Sequence, residues 1–278
     1  MTSRETKTAY ANPASAGTPI ISPTADERLL VRHPRLLHWW DAGHGFDKDG
    51  WRCRKTRKML VKERTALPTL QNIAAYRTVP SLFFTSGINQ LWDGGQNLFP
   101  AGEFTQLVVG RSGPNQNSFI AGAATVGRTD MTYLQNSDTD AGAGSQGLRI
   151  NSGGALGGTL TDLANLKYAD GPAMQWMAGK PQEVGALGNN MCIRTMRVDT
   201  GVISETQGDT AAGALPNVHR EFHVSGVNPY GSAAQGQLVG GDIGLIMLFD
   251  VALHFDTALR DLAERVIRAR YSIPVPAA

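Results

Sequence analysis

Gly241-Asp-Ile-Gly-Leu-Ile-Met-Leu-Phe249 is the stretch on which the fold turns. Its apolar residues do not alternate with polar ones, so both faces of a strand built from it are apolar. That pattern predicts a central strand covered on each side. A helix is predicted directly after it. Asp256 or Thr257 offers an oxygen to the orphan N–H groups of its first turn. Leu259, Leu262, Val266 and Ala269 recur at spacings of three and four and make one apolar stripe. Arg265, Arg268 and Arg270 suit the negative end of the helix dipole, and Pro274 stops the helix.

Upstream of this ending the chain alternates short apolar runs with turn residues. The runs are Ser81–Thr85, Phe104–Val109, Ser118–Ala121, Met131–Leu134, Gly147–Ile150, Ala173–Met177, Cys192–Val198, His219–Val224 and, closing the series, Ile243–Phe249. Runs of this length, rich in β-branched and aromatic residues and bounded by Gly, Asn, Asp and Ser, read as strands. Their number and spacing predict an all-β sandwich or barrel. Residues 28–278 are expected to form that one domain. Residues 1–27 read as an extended arm, because Pro13, Pro19 and Pro23 remove N–H donors and fix φ. The arm is either a loose terminus or a segment that orders on a neighbouring subunit, with Ile20 and Ile21 between Pro19 and Pro23 as its apolar grip.

Composition narrows the function classes. Glycine is abundant, 32 of 278 residues, but has no period of three, which excludes collagen. Hydrophobic residues at 41% are enough for a core. No run approaches the roughly 18 apolar residues of a membrane helix. The first residues lack a basic start followed by an apolar run, so no secretory signal is expected. The two cysteines, Cys53 and Cys192, have no metal-ligand spacing and are expected to be buried free thiols, one long-range disulfide being the alternative. Charge is uneven. Residues 28–64 hold eleven basic and four acidic residues, a balance of +7 against +2 for the whole chain. This block reads as a solvated face; with no nucleic-acid motif beside it, nucleic acid is not an expected partner.

Several stretches imitate catalytic motifs. Gly142, Gly144 and Gly147 have dinucleotide-loop spacing, but a strand-like run follows where a helix is needed, so the stretch reads as a loop. Gly110-Arg-Ser112-Gly-Pro114 fails as a nucleophile elbow at its last position. Asp47-Lys-Asp-Gly50 lacks the first and twelfth ligands of a calcium loop and reads as a turn with Asx hydrogen bonds. His219 and His223 sit in a strand-like run and read as ordinary histidines. Asp138 and Asp140, in a loop-like run, are the one place where two carboxylates could share a cation, calcium being the ion that suits them; otherwise no cofactor is expected.

The C-terminal stretch from Gly241-Asp-Ile-Gly244 through Asp250-Val-Ala-Leu253, with a helix closing on Tyr271-Ser-Ile273, resembles the last strand and helix of concanavalin A-like, laminin-G-like jelly-roll domains. Gly244 stands beside the position where an acidic residue is usual, and Ser272 replaces a glycine. Leu36–Asp41 resembles the opening strand of these domains, and Pro68-Thr-Leu70 with Val79–Phe84 resembles a segment that follows. The resemblance covers about residues 30–273. It implies two antiparallel sheets packed face to face.

This family hosts lectins, adhesive modules and glycoside hydrolases, so the fold alone does not assign a function. Its retaining hydrolases carry an acid pair on one strand, which this sequence lacks, and no enzymatic activity is expected. Jelly rolls without an export signal resemble those of tailed-phage structural proteins. The expected function is a non-enzymatic virion surface protein, in head decoration or a tail appendage. It would pair with other virion proteins, with its own copies, and with cell-surface glycan. A lectin module outside a virion is the alternative, and a glycoside hydrolase the third reading. Trp92 and Asp93, with Asn97 nearby, and Asn228 with Tyr230 are the candidate glycan contacts, since sugars stack on aromatic rings and bond to loop amides and carboxylates. Packing of Trp92 under its own loop is the competing reading.

Overall fold

The computed structural model describes residues 23–63, 65–77, 79–85, 88–112, 117–124, 131–138, 144–152, 155–162, 171–180, 190–208, 221–225 and 241–276. Along the chain these form α1 (Ala25–Arg32), β1 (Leu36–Asp41), β2 (Phe46–Asp47), β3 (Gly50–Arg52), β4 (Met59–Lys62), β5 (Thr69–Asn72) and β6 (Pro80–Phe84). Next come β7 (Leu91–Trp92), β8 (Phe104–Ser112), β9 (Asn117–Ala124), β10 (Met131–Asp138), β11 (Gly144–Ser152) and β12 (Ala155–Asp162). The last elements are β13 (Ala173–Gly179), β14 (Met191–Arg197), β15 (Ile203–Gly208), β16 (Glu221–Val224), β17 (Gly241–Phe249) and α2 (Thr257–Tyr271).

Among the described residues the strands form two antiparallel sheets. One runs β15-β14-β13-β8-β17-β6-β5, with β1 also pairing with β17. The other runs β12-β11-β10-β9-β16-β7-β4-β3-β2. All nine sequence-predicted strand runs lie in or overlap these strands. The apolar stretch Gly241–Phe249 is the central strand, buried at every position. Its alternation serves two cores. Ile246 and Leu248 join Trp40, Phe84 and Phe222 between the sheets. Leu245, Met247 and Phe249 join Trp39, Trp176 and Tyr271 on the opposite face, under the helices. The molecule is therefore a two-sheet sandwich with one outer face roofed by α1 and α2.

A bulge between Ile243 and Leu245 resets this alternation, so Ile243 and Ile246 share the inter-sheet core despite their spacing of three. Gly244 is the bulge. A side chain there would meet the Tyr271 hydroxyl at 2.5 Å and the Tyr76 ring at 3.2 Å. Its carbonyl accepts from the N–H of Ala42.

Helix α2 begins at an Asp256 cap that accepts from Leu259 N. Its buried stripe is Leu259, Ala263, Val266, Ile267 and Tyr271; Ala269, expected in the stripe, is exposed. Helix α1 is capped by Thr24 and Glu27, each side chain bonded to the other's backbone N–H. It was not expected, and residue 27, the expected end of the arm, lies inside it. Pro19, Ile20 and Ile21 lie outside the described residues; Pro23 is exposed at the entry to α1.

Buried charge ties α1 and α2 to the sandwich. Asp41 is fully buried and accepts from Arg270 Nη2 at 2.6 Å, while Arg54 lies 3.4 Å from its other oxygen. Glu27 lies 3.5 Å from Arg270 and 3.8 Å from Arg54. Burial pushes the Asp41 carboxyl up, but Arg270, His44 and Arg54 outweigh it and hold the group down at about 2. A second network, Arg194 with Glu205 and Glu264, joins β14 to β15 and α2. Cys53 and Cys192 are buried free thiols, as expected. No helix among the described residues is long and apolar enough to cross a membrane.

Candidate functional site on the outer face of the second sheet

Side-chain alternation decides what faces outward. Leu91 of β7 and Phe222 and Val224 of β16 fill the inter-sheet core, so Trp92 and His223 point to the opposite face. They are cross-strand partners, as are Trp92 and Val61 of β4. The Trp92 and His223 rings stack with centroids 6.1 Å apart and 22° between their planes. His223 is fully buried, whereas Trp92 is half-buried. Trp39, Trp40, Trp51 and Trp176 are all fully buried, so Trp92 is the one solvent-accessible indole of the five.

Two carboxylates brace the imidazole beneath it. Glu63 Oε2 lies 3.1 Å from His223 Nδ1, and Glu221 Oε2 lies 3.8 Å from Nε2. Glu63 follows β4 and donates its N–H to Gln90 O, just before β7. The cluster thus draws on three neighbouring strands and on positions 160 residues apart. It was absent from the sequence-derived candidates, because only register brings it together. The signal that was available is the i, i+2 pair Glu221 and His223, which puts both on one face of a strand.

Two of the sequence-predicted contacts change character. Trp92 lies in a strand rather than a loop, and its ring stacks beside that of His223. Asp93 is a correction. Its side chain is fully buried and turned inward. Oδ1 accepts from Gly95 N at 2.9 Å, and Oδ2 from Leu98 N at 2.8 Å and Phe222 N at 3.1 Å. Asp93 therefore shapes the 93–98 turn and fastens it to β16. Asn97 is exposed at the tip of that turn, with φ of +53°. Gln96 donates its side-chain amide to Asp93 O at 2.9 Å. Asn228 and Tyr230 lie outside the described residues.

The other motifs separate similarly. Gly144, where a loop was expected, and Gly147, which opens the predicted run Gly147–Ile150, are strand residues of β11; strand β12 follows it, and Gly142 lies outside the described residues. Asp138 ends β10 as the partner of Gly144, again in a strand rather than a loop; Asp140 is outside the described residues. Among the described residues no group of three potential ligands is placed to hold a metal ion. Asp47 Oδ1 accepts from Asp49 N at 2.8 Å, the expected Asx turn. The basic block divides. Arg54 lies 4.3 Å over the Trp39 ring beside Asp41, and Lys55 donates to the carbonyls of His33 and Leu36.

The fold is similar to that of tailspike protein 2 from Escherichia coli O157:H7 bacteriophage CAB120, over 72% of this chain and 27% of that one, at 14% identity and a TM-score of 0.52. It is similar to the enzymatically active domain of bacteriophage CBA120 tailspike protein 2, over 73% and 29%, at 15% identity and 0.50. A GH54 α-L-arabinofuranosidase matches over 79% and 50%, at 11% identity and 0.50. The chain thus spans about a quarter of the tailspike's length and half of the arabinofuranosidase's. No protein-family model and no curated protein matches it. At these identities the likeness is one of architecture: the chain shares a two-sheet β-sandwich with these proteins.

Proposed function

We propose that this protein is a concanavalin A-like, laminin-G-like glycan-binding domain on a bacteriophage virion surface. In this reading it adheres to host-surface saccharide and packs against other virion proteins and its own copies, without turning the saccharide over. The observation that carries the reading is Trp92: a half-buried indole stacked beside a buried imidazole, in a strand whose following turn carries the exposed residues Gln96 and Asn97. A ring held this way offers its apolar face to the C–H groups of a sugar at little entropic cost. The architectural likeness to a phage tailspike supports the virion setting. Binding to a glycan array tests the reading. Trp92→Ala is expected to lose binding at least tenfold while keeping the wild-type melting temperature; wild-type protein that binds no glycan contradicts it.

One observation favours a second reading, hydrolysis: Glu63 and Glu221 converge on one imidazole beside the Trp92 ring, and paired carboxylates carry glycoside cleavage. Release of reducing ends from a bound polysaccharide, abolished in both Glu63→Gln and Glu221→Gln, establishes that reading; its absence leaves binding alone.

A further inference from the structure

We propose that this face takes an anionic saccharide, one ring stacking on Trp92 and a carboxylate or phosphate on a neighbouring sugar pairing with Arg52. The inference rests on the glycan-binding reading and adds the charge class of the ligand.

The placement follows from register. Trp51 and Leu60 point into the inter-sheet core, so Arg52, Met59 and Val61 face outward with Trp92. Arg52 pairs with Met59 and Val61 pairs with Trp92. Arg52 is therefore two strands across and two residues along from Trp92, about 12 Å away at ordinary strand and residue spacings. A short oligosaccharide spans that distance.

This edge gathers several cations that have no carboxylate partner. Among the described residues, Lys48, Arg52, Arg57, Lys58 and Lys62 have no ion pair, although all lie within fifteen positions. Elsewhere Arg111, Arg194, Arg197, Arg260, Arg265 and Arg270 each face a carboxylate, whereas Arg268 bonds to carbonyls and Lys180 lies over the Phe255 ring. The hairpin that presents the free cations is itself held rigidly. Lys55 bonds to two main-chain carbonyls, and the Cys53 thiol accepts from Trp39 N and Thr56 N. Guanidinium forks match carboxylate and phosphate oxygens, and an unpaired one on a fixed strand is ready to meet them.

The acidic side of the face selects among anions. Glu63 and Glu221 are drawn to His223, on the side of Trp92 away from β3. A nucleic acid stacking a base on Trp92 carries a phosphate at every step and brings its backbone past these carboxylates. A saccharide with its charge confined to one sugar places that charge over β3 and a neutral ring over Trp92.

The test is binding to an array of bacterial surface polysaccharides. Each is printed in native form and after carboxyl reduction and removal of phosphate, with a single-stranded DNA oligomer alongside. The wild type is expected to bind acidic polysaccharides and to lose about tenfold, near 1.4 kcal/mol, on their neutralised forms. Arg52→Glu is expected to lose about tenfold on the acidic forms. Lys180→Glu, the same charge change on the other sheet, is expected to leave binding unchanged. Arg52→Gln, with the wild-type melting temperature, repeats the loss if the glutamate variant is unstable. Equal binding to native and neutralised forms, or undiminished binding by both Arg52 variants, overturns the charge inference and leaves the glycan reading intact. Binding to no saccharide overturns the glycan reading and, with it, this one. DNA bound more tightly than any acidic saccharide overturns it in favour of nucleic acid.

Discussion

Gly244 shows how one missing side chain organises a core. It sits in the bulge of the central strand, and the space left by its Cβ is filled by Tyr271 and Tyr76. Gly244→Ala is expected to destabilise the protein by about 2 kcal/mol, as overpacking of a closed core does, read as a lower denaturant midpoint at unchanged slope. His38 makes a second prediction at this scale. Burial lowers its pKa to about 4, and the nearby Lys58 and Lys55 act in the same direction. The unfolded chain takes up a proton near pH 6.5 that the folded one refuses until about 4, so the neutral imidazole's contribution is complete above 6.5 and is lost as the pH falls toward 4. That loss is about 3 kcal/mol for the wild type, and His38→Gln is expected to flatten the stability profile across that window.

Among the elements, α1 and α2 depend on one buried pair. Arg270 connects α2 to Asp41 of β1 and to Glu27 of α1. Arg270→Met strands the buried Asp41 carboxylate and is expected to cost about 3 kcal/mol at neutral pH. The deficit is expected to shrink from pH 7 toward pH 3. In the wild type the depressed Asp41 pKa contributes stability above about 3.8 that disappears as the pH falls through about 2; without Arg270 the carboxyl protonates sooner and relieves its own burial. Chemical unfolding at several pH values reads both effects.

This is also the scale at which sequence reading succeeds and fails. β17 and α2 were legible because apolar runs and a capped stripe are local signals. β12 and β15 were not, since Ala-Leu-Gly-Gly-Thr-Leu-Thr-Asp and Ile-Ser-Glu-Thr-Gln-Gly carry few apolar residues; both stand at the ends of their sheets, where one side has no partner strand among the described residues. Helix α1 hid behind Pro23, although its capping box was present as Thr24-Ala-Asp-Glu27. Trp92 could be singled out as an aromatic among polar residues. Its supports, His223 and Glu63, could not, because strand register rather than proximity in sequence brings them under the ring.

For the whole molecule, the layering separates structure from function. The middle strands of the first sheet are buried on both faces, between the second sheet and the helices, and Asp41, Asp242 and Arg194 in it are ion-paired. The second sheet presents Trp92, the carboxylates beside His223 and the Arg52 guanidinium on its outer face. The asymmetry argues that stability resides in the first sheet and recognition in the second. Trp92 reports on this directly, because the other four indoles are fully buried. The decisive measurement is collisional quenching of tryptophan emission by iodide, with and without a bound polysaccharide. The account predicts that only the Trp92 fraction is quenched in the free protein, that bound saccharide shields it, and that Trp92→Ala has no quenchable fraction and does not bind. A saccharide that binds tightly yet leaves Trp92 as open to iodide as before would contradict it.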